Sequence, residues 1–131
     1  KYRDEFFAGV ARCETLTAMV NFIIKDRYQF IKAHEEVVKI LVMELMTNPE
    51  LRRLFGELIT SEDFNFLSEL LRNFHRTGEM RDDIDAAGII RIIAGQLIFY
   101  IVQSTYAPVL VHDEQKDLPI IADQIVRTIK N

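Results

Sequence analysis

Arg27 is the most unusual polar side chain in the sequence, because it interrupts a run of apolar residues at helical spacing between positions 16 and 31. A buried guanidinium needs an anionic partner, which is either the carboxylate of a ligand or an acidic side chain of the protein. Alternatively, the long side chain reaches solvent and buries only its methylene groups. Arg27 is therefore a candidate ligand-binding residue, and the solvent-reaching arrangement is its alternative.

Two further polar residues, His75 and Tyr100, occur at helical spacing among apolar neighbours. His75 lies near the predicted C-terminal end of a helix, where the helix dipole favours the charged imidazole, so it could bind a ligand or respond to pH. A core histidine bonded to protein neighbours is the alternative. Tyr100 could offer its hydroxyl to a pocket or simply pack in the core. We expect the walls of such a pocket to be apolar and to include Met43, Phe74, Ile93 and Leu97.

The sequence contains no set of residues with the spacing of a catalytic or metal site. Its three histidines, His34, His75 and His112, fall on different predicted elements. There is no His-Glu-x-x-His or Glu-x-x-His pair and no Gly-rich phosphate-binding loop. We therefore expect no enzymatic activity, no metal ion and no cofactor.

Length and composition indicate one globular domain, residues 1–131. The 131 residues are 49% apolar and 27% charged, enough to form one core without disulfides. A net charge of -4 argues against direct binding to a nucleic acid backbone. The single cysteine, Cys13, suits a reducing cytoplasm, where we expect this protein to be. The chain begins at Lys1 without a signal segment, so we expect further sequence to precede it.

The elements that must position these residues are helices. Only three prolines and five glycines occur, and no segment bounded by turn signals alternates strictly between apolar and polar over four or more residues. This pattern predicts an all-α domain of about six to seven helices. The first, residues 1–13, is read as a truncated leading helix, and the segment 37–46 is apolar all round and predicts a helix buried on most sides. Further helices are predicted over residues 14–33, from a cap at Asn48 followed by Pro49, from a hydroxyl cap at Thr60 and Ser61 to Gly78, from 82 to 106, and from 117 onwards.

The predicted helix over residues 82–106 is apolar on two opposite faces. One face can pack on the core, and the other needs a partner, which is either the last helix of the same chain or a second copy. The glycines at positions 88 and 95 lie in line, and would let another helix approach closely. A homodimer, with the last two helices of each chain forming a four-helix bundle, is therefore predicted to use Ile84, Gly88, Arg91, Ile92, Gly95, Phe99, Val102, Ile121, Ile125 and Ile129.

The same helix contains the only membrane-like stretch that the sequence suggests, residues 86–102. Arg91 and Gln96 interrupt this stretch, and it is shorter than the about 20 residues that a membrane span needs. We therefore expect a buried helix in a protein that makes no contact with a membrane.

Three short stretches resemble the C-terminal half of TetR-family transcriptional regulators: residues 30–37 (FIKAHEEV), 48–52 (NPELR) and 78–85 (GEMRDDID). The first resembles the junction of two core helices, the second a helix start, and the third the turn before the first dimer helix. None of them is catalytic, and it is their order and spacing across residues 14–131 that carries the resemblance.

The resemblance implies a function in transcriptional regulation. A domain of this kind forms a homodimer and binds a small, mostly hydrophobic effector in its helical core. The effector then alters DNA binding by an N-terminal helix-turn-helix domain that this chain lacks. A helical dimerisation or adaptor module without a small-molecule ligand is the alternative.

Overall fold

A computed structural model describes residues 2–59 and 62–131. Within these ranges the chain is helical and contains no β-strand, so the all-α class is confirmed. The predicted cap at Thr60 and Ser61 lies outside the described residues. The described helices are α1 (Tyr2–Ala11), α2 (Leu16–Ala33), α3 (Glu35–Thr47), α4 (Pro49–Ile59), α5 (Glu62–Arg76), α6 (Ala86–Tyr106) and α7 (Glu114–Ile129), with a short 3-10 helix (Pro108–Leu110) between the last two.

Short polar side chains cap several of these helices at their first turn. Thr15 accepts a hydrogen bond from the Ala18 amide at the start of α2, and Asp85 accepts one from the Gly88 amide at the start of α6. The predicted cap at Asn48 is confirmed, since its side-chain oxygen accepts from the amides that open α4. Each cap satisfies backbone donors that have no partner within the helix.

The last helix begins earlier than the sequence indicates. Pro119 favoured a start at Asp117, because proline is common in the first turn. The structure instead starts α7 at Glu114, with Asp113 as the cap accepting from the Lys116 amide at 2.9 Å. Pro119 consequently lies inside the helix, where it removes one backbone hydrogen bond.

Helix α2 is the centre of the fold. Helix α7 packs along it, α1 and α6 also contact it, and α5 packs on α6. Some of the most deeply buried side chains come from α2 and α7: Leu16, Met19, Ile24, Ile125 and Ile129. Burial of these side chains from water is the main contribution to the stability of the packing between α2 and α7.

The predicted burial of the segment 37–46 is wrong for this chain. This segment lies in α3, which has no buried residue among its described positions. Helix α2 ends at Ala33 with His34 as its C-terminal cap, and α3 then contacts mainly the end of α2 and α4, so the other sides of α3 are left without cover. Several large apolar side chains of α3 are more than half exposed: Val37, Ile40, Met43 and Met46.

A turn between α5 and α6 holds three distant parts of the chain together. Gly78 adopts a left-handed conformation with φ of +78°, which ends α5 at little steric cost. The carboxylate of Glu79 accepts a hydrogen bond from the Leu16 amide at 2.7 Å, and the Glu79 carbonyl accepts one from the Asn131 amide at 3.1 Å. Residues 78–81, which we call the junction turn, therefore link the start of α2 to the end of α7.

Helix α6 has 21 residues, so it is longer than the apolar stretch read from the sequence. Among the described helices it is the one long and apolar enough to cross a membrane by length and composition. Length therefore does not exclude α6 as a membrane-spanning helix, contrary to the expectation from residues 86–102. Core helices of globular domains meet the same criterion, and α6 packs against α2, α5 and α7.

Candidate ligand pocket and exposed helix face

An apolar pocket of about 390 Å³ lies between α1, α2, α5 and α6. Its volume falls within the range of about 300–1,000 Å³ typical of small-molecule sites. The described lining residues are apolar except for Arg27: Phe6, Phe7, Val10, Ile23, Ile31, Phe64, Phe66, Leu67, Ile89, Ile90, Ile93, Ala94, Leu97 and Ile98. Such a pocket can bury the apolar body of a ligand and offers it a single positive charge.

Helix α1 contributes aromatic walls to this pocket that the sequence analysis did not identify. The ring centres of Phe7 and Phe66 are 4.9 Å apart, and those of Phe6 and Phe22 are 6.1 Å apart. Gly9 allows this packing, because a Cβ atom there would meet the Phe22 ring at 2.2 Å. Phe6, Phe7 and Val10 lie at helical spacing in the sequence, but spacing alone does not show which helices they pack against.

Arg27 lies at the edge of the pocket with its guanidinium between two aromatic rings. The guanidinium carbon is 4.1 Å from the centre of the Phe6 ring and 4.9 Å from that of Phe30. Its Nε and Nη2 atoms donate to Asp26 Oδ2 at 3.0 and 2.6 Å. The side chain is about one third exposed, so the protein acid and partial solvent access both compensate the charge.

Of the other predicted pocket residues, Ile93 and Leu97 line the pocket and four lie elsewhere. Phe74 is buried in the core. His75 forms a hydrogen bond within the chain, since its Nε2 lies 2.8 Å from the Ile84 carbonyl oxygen. A carbonyl can only accept, so Nε2 carries the proton and the ring ties the end of α5 to the approach to α6. Met43 is 70% exposed on α3, outside the pocket.

Tyr100 faces α7 and uses its hydroxyl within the protein. The hydroxyl donates to Asp117 Oδ2 at 2.8 Å, and the same oxygen accepts from the His112 amide. Burial raises the pKa of Tyr100, and the bond to the Asp117 carboxylate raises it further. The neighbouring Tyr28, whose ring centre is 5.8 Å away, also has a raised pKa, chiefly through burial. Tyr100 therefore joins α6 to α7 and does not line the apolar pocket.

A second depression, of about 510 Å³, lies between α2 and α7. It is the larger of the two, but many of its walls are polar: Asn21, Lys25, Gln29, Glu114 and Gln115. Small-molecule sites are mostly apolar with a few polar groups that fix orientation. We therefore take the apolar pocket as the candidate ligand site.

The outward side of α6 is only partly covered by its own chain. Near its start Gly88 is buried, and Ile84 and Ile92 are partly buried. Arg91 is exposed, and so is Gly95 farther along the helix. Phe99 is 61% exposed and Val102 41% exposed. We call positions 95, 99 and 102 the outward face of α6, and it is this second half of the predicted interface that is available to a partner.

The α7 residues assigned to the interface belong to the core of the chain. Ile121, Ile125 and Ile129 are all buried, because this stripe of α7 lies in the core where the helix packs along α2. The apolar side chain that α7 leaves exposed is Ile120, which lines a groove of about 260 Å³ together with Phe99 of α6. Sequence periodicity identified the stripe, but it could not tell which neighbour covers it.

The two glycines of α6 have different surroundings. A Cβ atom on Gly88 would lie 3.3 Å from Asp85 Oδ1, so the helix cap itself restricts a side chain there. A Cβ atom on Gly95 would meet nothing within 4 Å. Of these two positions, Gly95 is therefore the one where no contact within the chain requires a glycine, and it lies on the outward face of α6.

No further ligating cluster appears in the described residues, where no three His, Cys, Asp or Glu side chains are placed to hold a metal ion. Cys13 donates its thiol hydrogen to the Gly9 carbonyl, and burial raises the pKa of that thiol.

Comparisons of the chain with protein-family models, with curated proteins and with solved structures find no match.

Proposed function

We propose that this chain is the ligand-sensing and homodimerisation domain of a TetR-like transcriptional regulator. The observation that carries the proposal is the apolar pocket between α1, α2, α5 and α6. The order of the three sequence stretches that resemble this family adds to it. The effector is a small, mostly hydrophobic molecule, and the domain acts in the cytoplasm.

The position of α1 in the wall of the pocket supports the proposed sensing. Phe6, Phe7 and Val10 of α1 would touch a bound effector, so the effector favours the arrangement of α1 that fits it best. A ligand shifts such an equilibrium only by the difference between its affinities for the two arrangements. In a regulator of this family a DNA-binding helix-turn-helix precedes this half, so α1 would transmit the shift to it.

Dimerisation would use the outward face of α6. Phe99 and Val102 of α6 and Ile120 of α7 are large apolar side chains with 41–61% exposure. Two copies packed through α6 and α7 would form a four-helix bundle and bury these side chains. Gly95 would let the two α6 helices approach closely.

A helical adaptor without a ligand is the second candidate. The exposed apolar side chains of α3 favour it, since they offer a surface for a protein partner that does not involve the pocket. An adaptor and a sensor differ in whether a small molecule stabilises the fold.

Thermal unfolding in the presence of hydrophobic acids, phenols and cationic dyes tests the sensor function. A ligand that binds only the folded chain raises Tm in proportion to the logarithm of its concentration. Ala94→Phe, which would fill the pocket, should abolish the shift. Ala87→Phe on the exposed side of the same helix should leave it intact. Absence of any shift with the unmodified chain would favour the adaptor.

Sedimentation at increasing concentration tests the dimer. Phe99→Glu should weaken association by about 30-fold or more, because a buried interface aromatic contributes roughly 2 kcal/mol or more. Ile40→Glu on α3 is a matched control, since Ile40 is 62% exposed and Phe99 is 61% exposed. A chain that stays monomeric, or that loses its dimer only in the α3 variant, would contradict the interface proposed here.

A further inference from the structure

We propose that the effector is an amphipathic organic anion, whose apolar body fills the pocket and whose carboxylate binds the guanidinium of Arg27. This inference rests on the proposed sensor function and narrows the class of its ligand. It depends on the position of Arg27, on its unused hydrogen-bond capacity and on the charges around the pocket.

The guanidinium is held in place before any ligand arrives. Phe6 and Phe30 lie 4.1 and 4.9 Å from its central carbon, and Asp26 accepts hydrogen bonds from two of its nitrogens. Contacts of this kind reduce the number of conformations that a long side chain samples. A ligand that binds a fixed group loses less entropy in ordering it.

The same guanidinium keeps donors available. Asp26 occupies Nε and Nη2, and Nη1 has no hydrogen-bond partner in the part of the chain that the structure describes. A ligand body that fills the pocket displaces water from the part of Arg27 that lines it. Unless the ligand supplies an acceptor, the displaced water leaves a charged donor unsatisfied, which is costly. A carboxylate supplies two acceptor oxygens in the geometry that guanidinium prefers.

The charges around the pocket disfavour the other ligand classes. Arg27 is the one charged residue among the described residues that line the pocket, and no acid lines it. A ligand ammonium group would therefore find no lining carboxylate to bind, because the carboxylate of Asp26 is already bonded to Arg27 and does not line the pocket. A neutral ligand would fill the apolar walls but leave the Arg27 donors without a replacement for water.

Three probes of equal chain length separate these classes: decanoate, 1-decanol and decylammonium. Their affinities for the unmodified chain are measured by calorimetry at pH 7.5, below the critical micelle concentrations of decanoate and decylammonium and below the solubility limit of decanol. Decanoate should bind about 10- to 100-fold more tightly than decanol, as expected for charged hydrogen bonds, and decylammonium should bind most weakly.

Substitutions then test whether Arg27 is the anchor. Arg27→Met should remove the preference for decanoate over decanol while leaving decanol binding nearly unchanged, because the apolar walls are retained. Arg72→Met removes one positive charge from the exposed surface of α5, outside the pocket, and should leave all three affinities unchanged. Arg27→Lys keeps the charge but not the planar fork, and should give an intermediate preference.

Equal binding of decanoate and decanol, or tightest binding of decylammonium, overturns this inference while leaving ligand sensing intact. Retention of the decanoate preference in Arg27→Met also overturns it. Failure of every compound, including the wider panel, overturns the sensor function itself. If Arg27→Met does not fold, as judged by circular dichroism, the comparison of the three probes on the unmodified chain decides the outcome.

Discussion

The inward side of α6 buries Ile89, Ile93 and Leu97 in the fold, whereas its outward face leaves Phe99 and Val102 in solvent. Both sides are apolar, so composition alone does not distinguish them. The inward side chains are covered by neighbouring helices of the same chain. Phe99 and Val102 are not covered in this way and add little to the stability of the single chain. Exposed apolar side chains of this kind are typical of a surface that binds a partner.

This difference teaches that apolar content in a helix has two separable uses. Side chains on the inward side stabilise the single chain, and substitutions there should appear as a loss of folding free energy. Side chains on the outward face should affect association and leave the single chain nearly unchanged. Each of the following substitutions compares the two.

Leu97→Ala should have the largest effect on stability. Leu97 is 2% exposed, and truncating it leaves a void that the surrounding helices fill only in part. We expect a loss of about 2–5 kcal/mol in the free energy of unfolding, measured in urea on dilute monomer. Phe99→Ala removes a larger side chain from the outward face, yet should cost no more than about 0.5 kcal/mol under the same conditions. Similar losses in both variants would remove the distinction between the two sides.

Tyr100→Phe should have an intermediate effect. It deletes the hydrogen bond from the buried hydroxyl to Asp117, and Asp117 keeps its bond from the His112 amide, so we expect a loss of about 1 kcal/mol. Because the pKa of Tyr100 is raised in the folded chain, its contribution is complete below a pH of about 10 and is lost as the pH rises further. Unfolding in urea at pH 7 and at pH 11 should therefore show a smaller gap between the two proteins at the higher pH.

The matched control is Tyr106→Phe, since the Tyr106 side chain is 79% exposed. It should leave the free energy of unfolding unchanged at pH 7. A loss equal to that of Tyr100→Phe would mean that the bond to Asp117 is not the cause.

Gly95→Ala should have the smallest effect, and its sign depends on the partner. In the monomer a methyl group meets open space, so the higher helix propensity of alanine should stabilise the chain by about 0.5–1 kcal/mol. In a dimer with close contact at this position, the same methyl group should weaken association. Urea unfolding of dilute monomer and sedimentation of concentrated protein measure the two effects, and a gain in both would exclude close packing at Gly95.

Much of the fold could be read from the sequence because helical periodicity and caps are local. Asn48 caps α4 as predicted, and the helices α2, α5 and α6 occur where the apolar stripes placed them. The start of α7 was misplaced, because a proline can lie inside a helix as well as in its first turn. Periodicity thus located the elements but not all of their ends.

What could not be read is which surface covers each stripe. The apolar α3 was expected inside and lies outside, while Ile125 of α7 was expected at an interface and lies in the core. The same limit applies to the candidate site. Arg27 and Leu97 were placed in a pocket, but the part played by α1 depends on contacts between distant segments. Those contacts are set by how helices pack together, and residue spacing within one helix does not contain that information.

The junction turn has a consequence for how the molecule opens. Glu79 holds the first amide of α2, and Asn131 after α7 donates its side-chain amide to the carbonyls of Gly78 and Met80. Local opening of the junction turn would therefore release the start of α2 and the end of α7, which pack against each other. It would also release the segment that leads into α6. Because one short segment restrains α2, α6 and α7, these three helices should unfold cooperatively rather than one by one.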